Sequence, residues 1–242
     1  MTKTVEFFFD FGSPYTYLAY HQLPKIAAQH GAQIIWRPIL LGGVFQATGN
    51  HSPMEVPPKA RYSLLDLQRW AKRFGVLLQM NPHFPINTLH LMRGAVAIQM
   101  QGEAVFQRYL AAVFCAMFEK PRNLNQPEEV AAVLAGIGMD PATFMGHIND
   151  PAVKEKLKAN TTAALERGVF GAPTFFVGEQ LFWGQDRLDF VEQALALHHP
   201  CCSTAKPMEQ WLHLSDTRNS NNRVPQATGT QVHWASRRPI LR

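Results

Sequence analysis

The fold of this 242-residue chain is decided by one strand-to-helix junction, Val5-Glu-Phe-Phe-Phe9 followed at once by Asp10-Phe-Gly-Ser13-Pro14. The first five residues are typical of a β-strand. Ser13 has the side chain of a helix N-cap and Pro14 suits the first helical position, so a helix is predicted over 15–28. A second strand is predicted over 33–38. A β-α-β unit of this length fits a right-handed parallel crossover.

The middle of the chain is predicted to be almost entirely helical. After a loop over 41–58 that is rich in glycine and proline, apolar residues at a spacing of three and four predict helices over 59–74, 87–101 and 104–118. Asn125, Asp140 and Asp150 have N-cap side chains, each with a proline within two residues, and predict three more helix starts. Strand patterns return at 174–177 and 180–183, and Asp186 is predicted to open a last helix over 188–197.

This order of elements predicts an α/β, thioredoxin-like fold with an all-helical insertion between β-α-β and β-β-α halves. The insertion covers about 58–168, within a domain over 1–198. Two separate domains are the alternative, but a hairpin standing alone lacks sheet partners. Residues 199–242 have no hydrophobic period and are predicted to form a largely disordered tail.

Composition and charge exclude several classes of protein. Lys and Arg outnumber Asp and Glu by 23 to 18, but 199–242 carry six of the basic and two of the acidic residues, so the remainder is nearly neutral. A nucleic-acid partner is therefore not expected. No apolar run approaches a membrane span, and the N-terminus lacks a secretory signal, so we expect a cytoplasmic protein. The three cysteines, Cys115, Cys201 and Cys202, have neither redox nor zinc-ligand spacing.

Ser13 is the first candidate for chemistry. A helix start carries unpaired N–H groups and a partial positive charge, which stabilise an anion. A serine hydroxyl at this point can donate a hydrogen bond to a thiolate and lower its pKa. The alternative is that Ser13 only caps the helix.

Two further stretches, around Pro173 and around Asp186, are candidates for ligand binding. Ala172-Pro173 leads into a predicted strand. A cis bond there would turn the free N–H and C=O of Ala172 towards a site, able to pair with an extended peptide, whereas a trans proline would simply start the strand. Asp186 is either an ordinary N-cap or a carboxylate that binds the ammonium of a ligand.

Five stretches together resemble one family, the 2-hydroxychromene-2-carboxylate isomerases, which are related to the kappa-class glutathione transferases and to DsbA. The resemblance covers about 4–198, in order, and rests on Asp10-Phe-x-Ser-Pro-Tyr15, Asp66-Leu-Gln-Arg-Trp70, Phe84-Pro-x-Asn-Thr88, Val169-Phe-Gly-Ala-Pro-Thr-Phe175 and Trp183-Gly-Gln-Asp-Arg-Leu188.

The resemblance implies a glutathione-dependent isomerase of aromatic compound catabolism, in which glutathione is a cofactor that each cycle regenerates. Ser13 would contact its sulfur, while Ala172 and Pro173 would pair with its backbone. The γ-glutamyl arm would be held by Trp183, Gly184, Gln185 and Asp186. The aromatic carboxylate would be bound by Asn50, Pro58, Lys59, Ile86 and Asn87. We further expect a homodimer and no metal.

Three other functions have been found on related folds or fit the same candidate site. The stretch Ser13-Pro-Tyr-Thr16 holds no cysteine, which excludes a disulfide oxidoreductase despite the fold. A kappa-type glutathione transferase or peroxidase and a non-enzymatic glutathione-binding module both stay open. The stoichiometry of glutathione consumption separates the isomerase from the transferase.

Overall fold

The strands form one mixed sheet that joins the two ends of the described chain. The structure is a computed structural model that describes residues 2–197. Strands β1 (Thr4–Phe9) and β2 (Gln33–Pro38) pair in parallel, and β3 (Thr174–Val177) and β4 (Gln180–Trp183) form an antiparallel hairpin. Because β3 also pairs with β1, the sheet has the order β2-β1-β3-β4. The two halves thus share one sheet, as the predicted insertion requires.

The helices follow the predicted thioredoxin-like order. Helix α1 (Pro14–Gln29) connects β1 to β2, and α9 (Leu188–Leu197) follows the hairpin. The remaining helices lie between β2 and β3 in the chain: α2 (Leu41–Thr48), α3 (Pro57–Phe74), α4 (Leu89–Gln99), α5 (Glu103–Phe118), α6 (Pro127–Gly136), α7 (Pro141–Asn149) and α8 (Pro151–Glu166). The predicted fold class is confirmed.

Two clusters of buried apolar side chains pack the sheet against the helices. The larger one packs alternate residues of β1, including Phe7 and Phe9, against α1, α4 and α5. A smaller cluster contains Phe8, Val44 and Phe176, from the other side of the sheet and from α2. This second cluster explains why the predicted loop over 41–58 is wrong in part. Burial of Val44 compensates for the poor helix propensity of the glycines at the start of α2.

The end of β1 and the start of α1 are the parts of the fold that position the site. The side chain of Ser13 caps α1, and Pro14 occupies its first position, as predicted. Asp140 and Asp150 also cap helices as predicted. The cap predicted for Asn125 is wrong, since Gln126 occupies the N-cap of α6, and the Asn125 side chain instead accepts a hydrogen bond from the Asn87 N–H.

Across residues 2–197, no helix is both long and apolar enough to cross a membrane. The predicted disordered tail over 199–242 lies outside the described residues.

Candidate active site

Ser13 lies at the bottom of the site, where it connects two loops. Its Oγ accepts a hydrogen bond from the Thr16 N–H at 3.1 Å, as a helix cap does. The same hydroxyl donates to the Ala172 carbonyl at 2.9 Å, 159 residues further along the chain. Ser13 is 5% exposed, so a ligand that reached it would be largely shielded from water. The predicted helix cap is thus present, and donation by the same hydroxyl to a ligand thiolate stays a prediction.

The Ala172–Pro173 bond is cis, which answers a question that the sequence left open. This loop leads directly into β3. The Gly184 N–H donates to the Pro173 carbonyl at 3.0 Å, and the Thr174 hydroxyl donates to the Gly171 carbonyl at 2.7 Å. These bonds hold the loop beside the end of β4, and the Ala172 carbonyl faces Ser13.

Asp10 supports this arrangement through hydrogen bonds, a role that was not predicted from the sequence. It is 1% exposed and follows the last residue of β1. Its two carboxylate oxygens accept hydrogen bonds from the Gly12 and Leu41 N–H groups, each at 2.8 Å, and Thr88 adds another. Burial raises the pKa of Asp10, while these hydrogen bonds oppose the rise. One side chain thus joins the Ser13 loop to the start of α2 and to the segment before α4.

A cleft of about 970 Å³ opens above Ser13. This is the size at which protein pockets enclose small organic ligands. Eleven of the twelve predicted site residues border it: Ser13, Asn50, Lys59, Ile86, Asn87, Ala172, Pro173, Trp183, Gly184, Gln185 and Asp186. Pro58 does not. It is exposed in the first turn of α3, and its predicted contact with the substrate stays a prediction.

The β4 end of the cleft combines an aromatic wall with a carboxylate. Trp183 is 48% exposed and packs against Phe170, with ring centroids 4.9 Å apart. Gly184 adopts φ = 100°, and a side chain there would collide with Asp186, so only glycine suits this turn. The Asp186 carboxylate accepts a hydrogen bond from Arg187 at 2.5 Å. Within residues 2–197 it caps no backbone N–H, so the N-cap interpretation of Asp186 is not supported.

The opposite wall comes from the loop before α3, from α3 itself and from the segment between α3 and α4. The Asn50 side chain donates to the Phe170 carbonyl at 3.0 Å and so bridges the two sides of the cleft. Ile86 is buried, and Asn87 uses its own side chain to accept from the Leu89 N–H. Lys59 is exposed, and it is the only Lys or Arg among the described residues that border the cleft.

A second polar group, which was not predicted from the sequence, borders the same cleft. Tyr15, Ser63 and Asp66 all border the cleft, and the Tyr15 hydroxyl lies 3.4 Å from an Asp66 carboxylate oxygen. Positions 59, 63 and 66 are four and three residues apart, so a helix places them on one face. This spacing could have indicated a shared site in the sequence, because Asp66 belongs to Asp66-Leu-Gln-Arg-Trp70, which contributes to the family resemblance.

The class of protein follows from this fold and site. The profile of the DsbA-like thioredoxin domain matches residues 4–196. The chain therefore belongs to that family. A probable DsbA oxidoreductase from Streptomyces coelicolor has the same fold, with a TM-score of 0.66 over 85% of this chain and 94% of that one, at 18% identity.

Relatives of higher sequence identity show which family within this class the chain belongs to. The chain is 34% identical over 197 residues to the 2-hydroxychromene-2-carboxylate isomerase of Sphingobium xenophagum, covering 81% of this chain and 99% of that one. It is 36% identical over 194 residues to the 2-hydroxychromene-2-carboxylate isomerase of Pseudomonas putida, covering 79% of this chain and 93% of that one. A solved 2-hydroxychromene-2-carboxylate isomerase superposes with a TM-score of 0.72 at 34% identity, over 80% and 94% of the two chains. The chain belongs to the 2-hydroxychromene-2-carboxylate isomerase family and is an isomerase.

Proposed function

We propose that this isomerase interconverts 2-hydroxychromene-2-carboxylate and trans-o-hydroxybenzylidenepyruvate, with glutathione as its cofactor. The observation that carries the proposal is the position of Ser13. A buried hydroxyl at a helix start lies in a cleft that also presents the Ala172 backbone and the Lys59 cation. These groups suit a thiolate, a peptide backbone and a carboxylate respectively.

The residues present fit glutathione along the Ser13 side of the cleft. Rotation of the Ser13 hydroxyl away from the Ala172 carbonyl would direct its proton to a sulfur at the start of α1. The same rotation would free that carbonyl to accept an N–H from an extended tripeptide. Asp186 lies beyond this loop, where its carboxylate can bind the ammonium of the γ-glutamyl end. One side-chain rotation thus prepares both the thiolate site and the backbone site.

The chemistry requires little more than this arrangement. When bound, glutathione would supply a thiolate nucleophile for reversible addition to the conjugated double bond of the ring-opened acid, which would allow that bond to isomerise. Ser13 stabilises the thiolate at the start and end of each cycle. Lys59 holds the carboxylate, and the apolar wall around Ile86 limits access of water.

The cytoplasmic location and the homodimer stay predictions.

The proposal is tested by counting turnovers per glutathione. The enzyme is given 2-hydroxychromene-2-carboxylate in large excess over glutathione, the absorbance change is followed, and free thiol is titrated at the end. We expect many turnovers per glutathione, constant total thiol, and no enzymatic rate without glutathione. Thiol that disappears in proportion to the acid would refute the isomerase reaction in favour of conjugation.

The conjugating alternative has one observation in its favour. The kappa 1 glutathione S-transferase of Rattus norvegicus is 24% identical over 205 residues, covering 80% of this chain and 91% of that one. The same site could therefore activate glutathione for transfer to an electrophile. The thiol titration separates the two reactions, because a transferase consumes one thiol for each product.

Replacing Asp186 by Asn should weaken glutathione binding about threefold to tenfold. The charge opposite the ammonium is lost, but the effect is moderated because Arg187 already pairs with this carboxylate. Calorimetry on the full chain measures the affinity. The matched control is Asp189→Asn, an exposed carboxylate in the first turn of α9 that does not border the cleft. Equal affinity in wild type and Asp186→Asn would remove Asp186 from the glutathione site.

Replacing Lys59 by Ala should weaken binding of the trans acid about fivefold, with a smaller effect in high salt, because the side chain is exposed. Lys59 lies in the first turn of α3, where a cation opposes the helix dipole, so its position favours an anionic ligand. Binding is measured by fluorescence without glutathione, for the acid and for its methyl ester. Lys72→Ala, an exposed lysine in the last turn of the same helix, is the control. A loss of affinity that is the same for acid and ester would show that Lys59 does not bind the carboxylate.

A further inference from the structure

The face of α3 that borders the cleft carries a row of polar side chains whose charge changes from positive to negative along the helix. Lys59, Ser63 and Asp66 all border the cleft, in the order cation, hydroxyl, carboxylate. Seven residues of α-helix separate the first from the last, which is roughly 10 Å along the axis. An elongated ligand that lies along this row would meet positive charge at one end and a hydrogen-bond acceptor at the other.

Tyr15 completes the acceptor end. It projects from the first turn of α1, two residues after Ser13, and its hydroxyl points to Asp66 at 3.4 Å and lies within hydrogen-bond reach of Ser63. Burial raises the pKa of Tyr15, and the neighbouring Asp66 carboxylate adds to the rise, so the hydroxyl keeps its proton at neutral pH. A donor and an acceptor therefore lie side by side.

The contact between Tyr15 and Asp66 is longer than a strong O–H···O hydrogen bond, which is about 2.7–2.8 Å. Both groups thus retain capacity for a further partner. Tyr15 is half-buried, and a pair of this kind gains most from a ligand group that both donates and accepts. A phenol does both. A carboxylate only accepts, and Asp66 would repel it.

We propose that Tyr15 and Asp66 bind the phenolic hydroxyl of the substrate, at the opposite end of the row from the carboxylate held by Lys59. The inference rests on the proposed function and makes it more specific. The phenol O–H donates a hydrogen bond to the Asp66 carboxylate, and the Tyr15 hydroxyl donates a hydrogen bond to the phenol oxygen. Together with Lys59, the pair sets the direction in which the acid lies past Ser13 and makes the ortho-hydroxyl group a requirement for tight binding.

The competing interpretation is that Tyr15 and Asp66 only hold α1 against α3. Both interpretations predict some loss of stability when the pair is broken. They differ in their dependence on the ligand, because a structural role cannot distinguish an acid that carries the hydroxyl from one that lacks it.

The test compares two ligands, trans-o-hydroxybenzylidenepyruvate and trans-benzylidenepyruvate, bound to the full chain without glutathione. We expect wild type to prefer the hydroxylated acid by about tenfold or more. Tyr15→Phe should remove this preference by weakening the hydroxylated acid alone. Asp66→Asn provides a second, independent variant. Tyr20→Phe, on the same helix but outside the cleft, is the matched control and should retain the full preference.

Equal weakening of both acids in Tyr15→Phe and Asp66→Asn, or no change with either acid, would overturn the phenol assignment. Turnover by wild type with glutathione shows whether the phenol assignment alone is wrong or the proposed function is wrong as well. If wild type converts the hydroxylated acid but both variants keep the wild-type preference for it over trans-benzylidenepyruvate, only this inference fails. If wild type neither binds nor converts that acid, the proposed function fails and the inference fails with it.

Discussion

Replacing Ser13 by Ala should raise the pKa of bound glutathione and lower kcat/KM by about 10- to 150-fold. The variant loses one charge-assisted hydrogen bond to a thiolate, about 1.5–3 kcal/mol, while the dipole of α1 remains. The structure explains why the loss should fall in this range. Ser13 is buried, so water cannot easily take the place of the missing hydroxyl.

The same substitution should also reduce the free energy of unfolding by about 1 kcal/mol, since it removes a helix cap. The Ser13 oxygen accepts from Thr16 and donates to Ala172, and both bonds are lost. Stability and thiol activation must therefore be measured separately. Chemical denaturation reports the first, and ultraviolet titration of the thiolate in the glutathione complex reports the second.

Two variants separate these effects. Ser13→Thr keeps the hydroxyl and the cap and should retain most thiol activation. Asp150→Ala removes the cap of α8, outside the cleft, and should leave the thiol titration unchanged. An unaltered glutathione pKa in Ser13→Ala would show that Ser13 acts only as a helix cap.

The elements that could be predicted from the sequence are those with local signals. Ser13-Pro14, Asp140-Pro141 and Asp150-Pro151 each combine a capping side chain with a proline, and each opens a helix as predicted. The hairpin turn at Gly178-Glu179 is equally local. Helix α2 was missed because its stability comes from Val44 packing against strands far away in the chain, which no local pattern reveals.

The site shows the same division. Residues in contiguous stretches, such as Trp183–Asp186, could be placed in one cleft because the stretches themselves carry the resemblance. The residues that orient these stretches could not be predicted from the sequence. The Tyr15 hydroxyl meets Asp66 across 51 residues, and the Asn50 side chain meets the Phe170 carbonyl across 120, so only the folded chain brings these groups together. Asp10 belongs with them, since its acceptor role depends on Leu41 and Thr88.

Replacing Asp10 by Ala should therefore lower the free energy of unfolding by about 2–5 kcal/mol, the largest stability effect expected at the site. Two partly buried backbone N–H groups, those of Gly12 and Leu41, would lose their acceptor, and Thr88 would lose a partner. Asp140→Ala is the matched control. Asp140 also accepts two hydrogen bonds, but it is exposed, so water can replace its carboxylate at much smaller cost.

Asp10→Asn distinguishes the hydrogen bonds of this carboxylate from its charge. One oxygen remains an acceptor, but the amide would direct a donor at a donor, so we expect a loss of about 1–3 kcal/mol. Burial raises the pKa of Asp10 above its usual 3.8, so at a pH between the unfolded and the folded pKa the folded protein still holds a proton that the unfolded chain has released. The contribution of Asp10 to the unfolding free energy should thus fall as pH rises above about 4. Asp10→Asn should lack this slope. If denaturation at several pH values gives the same slope for both proteins, Asp10 titrates normally in the folded state, and its oxygens are held by hydrogen bonds strong enough to offset its burial.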